Sequence, residues 1–312
     1  MAVTISAILQ ATLITTVNME FIIGSVGNAF IALVNIVDWV KRRKISLVDQ
    51  ILTALAISRT AFLFSLVTTL LVALRDPAAM TVRTVLKRHI ISWTVSHHFS
   101  VWFATFLGLF YFLKIANFSN PIFLTLKWKA KKVVLITLVV SLIILFINII
   151  VINILIDGPK VNTPYRYSSN DTVDVYVLIL LINTRFTLIP YTVTLITLLL
   201  LIFSLCRHLR NMRCNAKRFQ DVSAAAHIKS LQSVATFLLL YTVFVMSLLL
   251  QTWNINFLQN NLMVLFFWGT AIAFPSGHSS VLILGNSKLR QASLSVLWWL
   301  RCRYKYTKNQ GT

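Results

Sequence analysis

Seven stretches of this 312-residue chain are long and apolar enough to cross a bilayer, at about 7–37, 47–74, 85–113, 132–156, 175–206, 229–252 and 261–285. About 20 apolar residues in a helix span a hydrocarbon core of roughly 30 Å. With 57% hydrophobic and only 12% charged residues, too little polar surface remains to cover a water-soluble globule. The expected fold is therefore all-α, a bundle of seven transmembrane helices. Its third and fifth stretches hold His97, His98 and Arg185, the first holds Glu20 and the second Arg59. The first basic residue is Lys41, so no positively charged leader region precedes the first helix. A short, uncleaved N-terminus is expected, translocated by that helix.

A net charge of +21 ordinarily suggests nucleic acid, but long uncharged stretches here separate the charges. Alternate connections concentrate them. Lys and Arg number four at Lys41–Lys44, five from Lys114 to Lys132, six from Arg207 to Lys229 and six after Asn286. The opposite side holds Arg75, Arg83, Lys87, Arg88, Lys160, Arg166 and Arg185. Basic residues are retained in the cytosol, so the 21 define the inner side against seven outside. With seven spans the N-terminus is expected outside and the tail inside. The inner acids are Asp38, Asp49 and Asp221; the outer ones are Asp76, Asp157, Asp171 and Asp174. The apparent nucleic-acid signature is thus a positive-inside gradient, and most inner bases are expected to set topology and contact anionic lipid.

Two Asn-x-Ser/Thr sequons occur. Asn170 falls in the longest outer loop and is the expected glycosylation site, whereas Asn117 falls in an inner loop and is expected to stay unmodified. Cys206, Cys214 and Cys302 all lie on the inner side, where thiols stay reduced. Cys302 is either a plain thiol or, in its basic Trp-rich segment, a palmitoylation candidate.

Enzymatic readings fail on missing partners. Pro275-Ser276-Gly277-His278 matches the central motif of lipid-phosphate phosphatases, but no proline follows an arginine and His278 is the last histidine. Without a second histidine as nucleophile that covalent mechanism cannot run. His89, His97 and His98 do not form a metal set, because adjacent helical residues point about 100° apart and no acid or cysteine lies nearby. No metal, cofactor or covalent chemistry is expected. A polytopic carrier or lipid-handling protein is the competing class, but a carrier typically shows an internal repeat, and none is visible.

Seven spans with an outside N-terminus and basic inner loops suggest a G-protein-coupled receptor, although the common rhodopsin-like signatures are missing. Helix one carries Glu20-Phe21-Ile22-Ile23-Gly24 and Gly27-Asn28-x-Phe30-Ile31, and Asp38-Trp39-Val40 to Lys44-Ile45-Ser46 leads into Ile51 through Arg59. Helix three ends Phe110-Tyr111-Phe112-Leu113-Lys114-Ile115-Ala116-Asn117-Phe118-Ser119. Later come Leu201-x-x-Ser204-Leu205, Phe237-Leu238-x-x-Tyr241 and His278-Ser279-x-x-Leu282-Ile283-x-x-Asn286-x-Lys288-Leu289-Arg290. This ordered set resembles the type 2, or bitter, taste receptors along nearly the whole chain. Vomeronasal type 1 receptors fit it less well. One departure is in helix three, where many bitter receptors place Asn-His four and five residues after Trp; here Trp93 is followed by His97-His98.

Trp93, His97, Ser100 and Ala104 recur at helical spacing on one face of the third helix, a face suited to a ligand pocket or to helix packing. The resemblance implies pocket positions at Phe186, Tyr241, Leu248, Val264 and Trp268. Arg185, beside Phe186, either lines the pocket roof or snorkels to the outer interface. Arg59 lies mid-helix, so a bundle-facing network with Asn28, Ser279 and Ser280 is expected. Tyr111 and Lys114 close helix three at the inner face, and His278 occupies the region where rhodopsin-like receptors keep an activation motif. The resemblance implies small bitter agonists bound from outside, a gustducin-type (Gi) heterotrimeric G protein inside, and a plasma-membrane location. Residues 1–286 read as the receptor domain. Residues 287–312 read as a cytosolic tail whose Lys288–Lys305 segment, with Trp298 and Trp299, suits an interfacial amphipathic helix.

Overall fold

The computed structural model describes residues 2–76, 78–79, 82–157, 169–215, 221–253 and 261–310. Among them nine helices and no strands are present: α1 (Ala2–Arg42), α2 (Leu47–Arg75), α3 (Arg83–Ile115), α4 (Pro121–Trp128), α5 (Ala130–Asp157), α6 (Ser169–Asn215), α7 (Asp221–Trp253), α8 (Asn261–Gly285) and α9 (Ser287–Gln310). Six are long and apolar enough to cross a membrane, namely α1, α2, α3, α5, α6 and α7. The seventh expected span is α8, whose polar run Pro275–Ser280 lowers its hydropathy. It is nonetheless a bundle member: Ile272 and Ser279 are fully buried, and it packs on α1 and α7. The seven-helix fold stands, with the short α4 and the 24-residue α9 as additional elements at one end.

Local chemistry sets the helix ends. Ser46 caps α2, its Oγ accepting from the Asp49 N–H at 3.1 Å and donating to Asp49 Oδ2 at 2.8 Å. Asn120 Oδ1 accepts from the Ile122 N–H at 2.8 Å, and Pro121 fixes the first turn of α4. Asn286 separates α8 from α9 and starts the latter, its Oδ1 accepting from the Lys288 N–H at 3.0 Å.

The outward faces stay apolar and exposed, as with Ile22, Val26 and Leu33 of α1 and Phe146 and Ile154 of α5. In lipid such a surface costs nothing, so burial is governed by close packing and by polar groups turning inward. α3 lies at the centre, packed on α2, α5 and α6. α1 meets α8 so closely that a Cβ at Gly24 would overlap Ser276 Oγ, and the same hydroxyl donates to the Glu20 carbonyl at 2.8 Å. Glycine is required there by approach rather than by backbone angle.

Both ends of the bundle are tied by ion pairs and charged hydrogen bonds. Lys288 Nζ reaches Asp38 Oδ2 at 2.8 Å, Asn35 Oδ1 at 3.1 Å and Asp49 Oδ1 at 3.3 Å, joining α9 to α1 and α2. At the far end Arg83 donates twice to the Ile156 carbonyl, at 3.1 and 2.7 Å, and Lys87 pairs with Asp157 at 2.7 Å. These contacts couple the start of α3 to the end of α5.

Candidate functional site

Trp93 and His97 lie one turn apart on α3, and their rings stack with centroids 5.4 Å apart and planes 8° apart. His97 is buried and its Nε2 meets Thr187 Oγ1 of α6 at 2.9 Å. Its ring also touches Phe62 of α2 at 5.4 Å and Phe244 of α7 at 5.6 Å. Four helices therefore converge on one imidazole. Trp93 and Trp268 pack against the same apolar cluster, built from Val17, Phe62, Leu63, Leu66 and Ile272.

From His97 the rings continue along the bundle. Phe244 stacks on Phe274 of α8 at 5.0 Å and 12°, and Tyr241 also stacks on Phe274, at 5.1 Å and 24°. Phe237 sits 4.0 Å from the His278 ring. Arg59 is fully buried, lies 5.5 Å from the Phe274 centroid, and hydrogen-bonds His278. A guanidinium only donates, so His278 accepts through Nδ1 and carries its ring proton on Nε2. The path thus runs Trp93, His97, Phe244, Phe274, His278, Arg59.

Arg59 meets His278 and a ring face rather than the serines expected as partners. Ser279 and Ser280 turn to the carbonyls one turn back, Pro275 at 2.6 Å and Ser276 at 3.2 Å, which is how hydroxyls satisfy themselves in an apolar helix. Asn28 donates to the Gly24 carbonyl at 2.8 Å. It still lies near the level of Arg59, because Gly24 adjoins Leu63 and the two helices run antiparallel.

The remaining positions are spread over the bundle. Tyr241 is fully buried, three ring contacts from His97 through Phe244 and Phe274, and forms an edge contact with Tyr191 at 5.2 Å. Leu248 is buried in the main core, and Val264 is half-buried on α8. Phe186 joins His97 in lining a small chamber between α3, α5 and α6. Arg185 is exposed, on a different face of α6 from Thr184 and Thr187, which are buried. Tyr111 is half-buried; Lys114 is exposed, with Nζ 5.9 Å from the Phe110 ring. Ser100 and Ala104 are buried. Asn170 lies in the first turn of α6; its side chain and that of Cys214 lie outside what the structure describes, and the connection holding Lys160 and Arg166 lies outside the described residues.

Sequence reasoning overlooked Phe62, Phe244, Phe274 and Thr187. A signal existed for most of them. Phe62 follows Arg59 by three residues, Phe274 precedes His278 by four, and Phe237, Tyr241 and Phe244 repeat at the helical i, i+4, i+7 spacing.

Fold and site together define a seven-helix membrane bundle with a buried aromatic and polar path between its helices. The profile of the family described as Taste receptor protein (TAS2R) matches residues 5–301. Relatives include Taste receptor type 2 member 103 of Mus musculus, 62% identical over 311 residues and covering 100% of both chains. The member 103 protein of Rattus norvegicus is 58% identical over the same span, again covering 100% of both. Taste receptor type 2 member 14 of Macaca mulatta is 51% identical over 297 residues, 94% of this chain and 93% of its own. The chain belongs to the type 2, or bitter, taste receptor family, a receptor family of multi-pass membrane proteins and not an enzyme family.

Proposed function

We propose that this receptor sits in the plasma membrane with its N-terminus outside, binds small bitter molecules from that side, and activates a gustducin-type heterotrimeric G protein inside. The observation that carries the reading is the ring path from Trp93 and His97 to the Arg59–His278 pair. Trp93 offers an aromatic face and His97 a polar nitrogen, the mix of apolar wall and few placed polar groups that a small-molecule pocket needs. Phe186, Trp268, Val264 and Leu248 supply further apolar wall. A ligand shifts the balance of two states only by binding one of them better. Displacing the Trp93–His97 stack changes what Phe244 and Phe274 pack against, and so reaches the buried guanidinium.

The charge asymmetry supports the orientation, because the basic connections lie at the end where Lys288 joins α9 to α1 and α2. Tyr111 and Lys114 close α3 at that end, and these with the basic loops form the G-protein face. α9 lies along the inner membrane surface, since Leu294, Leu297, Trp298 and Trp299 are exposed and the Arg303 guanidinium lies 5.2 Å from the Trp299 ring.

The test is a bitter-compound panel on cells expressing the chain with a gustducin-type G protein. Agonist-dependent activation is expected, and Trp93→Ala should raise the half-maximal concentration at least about tenfold, equivalent to about 1.4 kcal/mol. Compound flux without G-protein activation would instead favour a carrier.

A further inference from the structure

A small chamber between α3, α5 and α6, with His97 in its wall, is lined by Thr94, His98, Asn148, Asn183, Phe186 and Thr187 among others. It admits a water-sized sphere over about 10 Å³, which is close to the space one water requires. Three of its lining residues present buried polar atoms without a protein partner: Thr94 Oγ1, His98 Nε2 and Asn148 Oδ1. All three side chains are more than nine-tenths buried, at 1%, 6% and 2% exposure respectively.

Their chemistry is complementary to one small molecule. Asn148 Nδ2 donates to Asn183 Oδ1 at 3.0 Å, and Asn183 Nδ2 donates to the Ile179 carbonyl at 3.1 Å. That chain fixes the Asn148 amide so that Oδ1 is left as an acceptor. The other His98 ring nitrogen faces the Ser141 backbone, which leaves Nε2 as a second acceptor. The Thr94 hydroxyl is free to donate. An unpartnered polar group in an apolar interior costs about 1–3 kcal/mol, and three in one dry chamber would be costly. We propose that the chamber holds one ordered water, which donates to Asn148 Oδ1 and His98 Nε2 and accepts from Thr94. The water ties α3 to α5, and through Asn183 to α6, beside the residue that hydrogen-bonds Thr187. It is independent of whether Trp93 and His97 bind agonist.

The isosteric change Thr94→Val gives opposite signs for a wet and a dry chamber. Removing the hydroxyl from a dry site deletes an unsatisfied group and stabilises, whereas removing it from a hydrated site breaks a hydrogen bond. Apparent melting temperatures of the full chain in lipid nanodiscs decide between them. Thr94→Val is expected to lower the midpoint by about 2 °C or more. Ser65→Ala deletes an equally unpartnered buried hydroxyl on α2, away from the chamber, and is expected to leave the midpoint unchanged or raised. A rise for Thr94→Val, or an equal fall for both variants, overturns the proposal. Replacing sodium by choline is expected to change nothing; a sodium-dependent midpoint that Thr94→Val abolishes would assign a cation instead. A cryo-electron microscopy map that resolves ordered water should show density between Asn148 and His98, and an empty chamber would contradict the assignment.

Discussion

At the residue scale, this receptor depends on a few side chains with unusual surroundings. Arg59 is fully buried in a lipid-facing protein and is matched to a histidine and an aromatic ring rather than to an acid. Charge in that position is tolerated only when the bundle interior receives it. Arg59→Met keeps much of the stem and removes the donors, so the His278 Nδ1 acceptor is orphaned. The expected outcome is normal or reduced surface level with a changed basal or agonist-driven response, read by surface labelling alongside G-protein activation. An unchanged response at normal surface level would remove Arg59 from the switching role. Thr187→Val deletes the partner of His97 Nε2 and is expected to shift agonist potency severalfold while Ile189→Val, on an exposed position of the same helix, does not. Gly24→Ala pushes a methyl group into Ser276 and should cost about 1–3 kcal/mol of stability, the range of an overpacked contact, measured as a lowered melting midpoint. If Gly24→Ala melts like wild type, the α1–α8 approach is looser than described.

At the element scale, ion pairs and charged hydrogen bonds hold both ends of the bundle. Arg83 bridges the start of α3 to the Ile156 carbonyl near the end of α5. Arg83→Met should lower the melting midpoint by an amount equivalent to about 1.5–3 kcal/mol, the worth of a hydrogen bond involving a charged group. No change would mean the pair is merely a surface contact. Lys288→Met should loosen α9 from α1 and α2, detectable as faster hydrogen exchange in α9 with the rest of the bundle unaffected. Most of this architecture was legible in the sequence, because apolar length and charge asymmetry are properties of composition. The seventh span was legible by length, although Pro275 and the serines around His278 bring α8 below the hydropathy of the other six. What the sequence hid was side-chain direction across helices. Arg59 could be placed inside the bundle, but its pairing with His278 depends on how α2 meets α8. Arg185 could be placed beside Phe186, but only the rotation of α6 turns it outward and exposed while Phe186 lines the chamber.

At the scale of the whole molecule, a polar and aromatic spine runs between the part of the bundle that holds Trp93 and the part that holds Arg59 and His278. The proposed ligand binding and G-protein activation require such a connection, a two-state element that both ends bias. The proposed orientation makes its own prediction: Asn170→Gln should remove a glycan mass shift, and Asn117→Gln should not. The reverse pattern would invert the bundle. The most direct measurement of the central claim is G-protein activation by a bitter-compound panel in cells expressing wild type, Trp93→Ala, Phe274→Leu or the double variant at matched surface levels. The predicted result is an agonist response in wild type, a rightward shift in Trp93→Ala, a reduced maximum in Phe274→Leu, and a double variant whose loss differs from the combined single losses. Compound-independent activity, or losses that combine without interaction, would contradict the claim that the ring path joins the pocket to the Arg59–His278 pair.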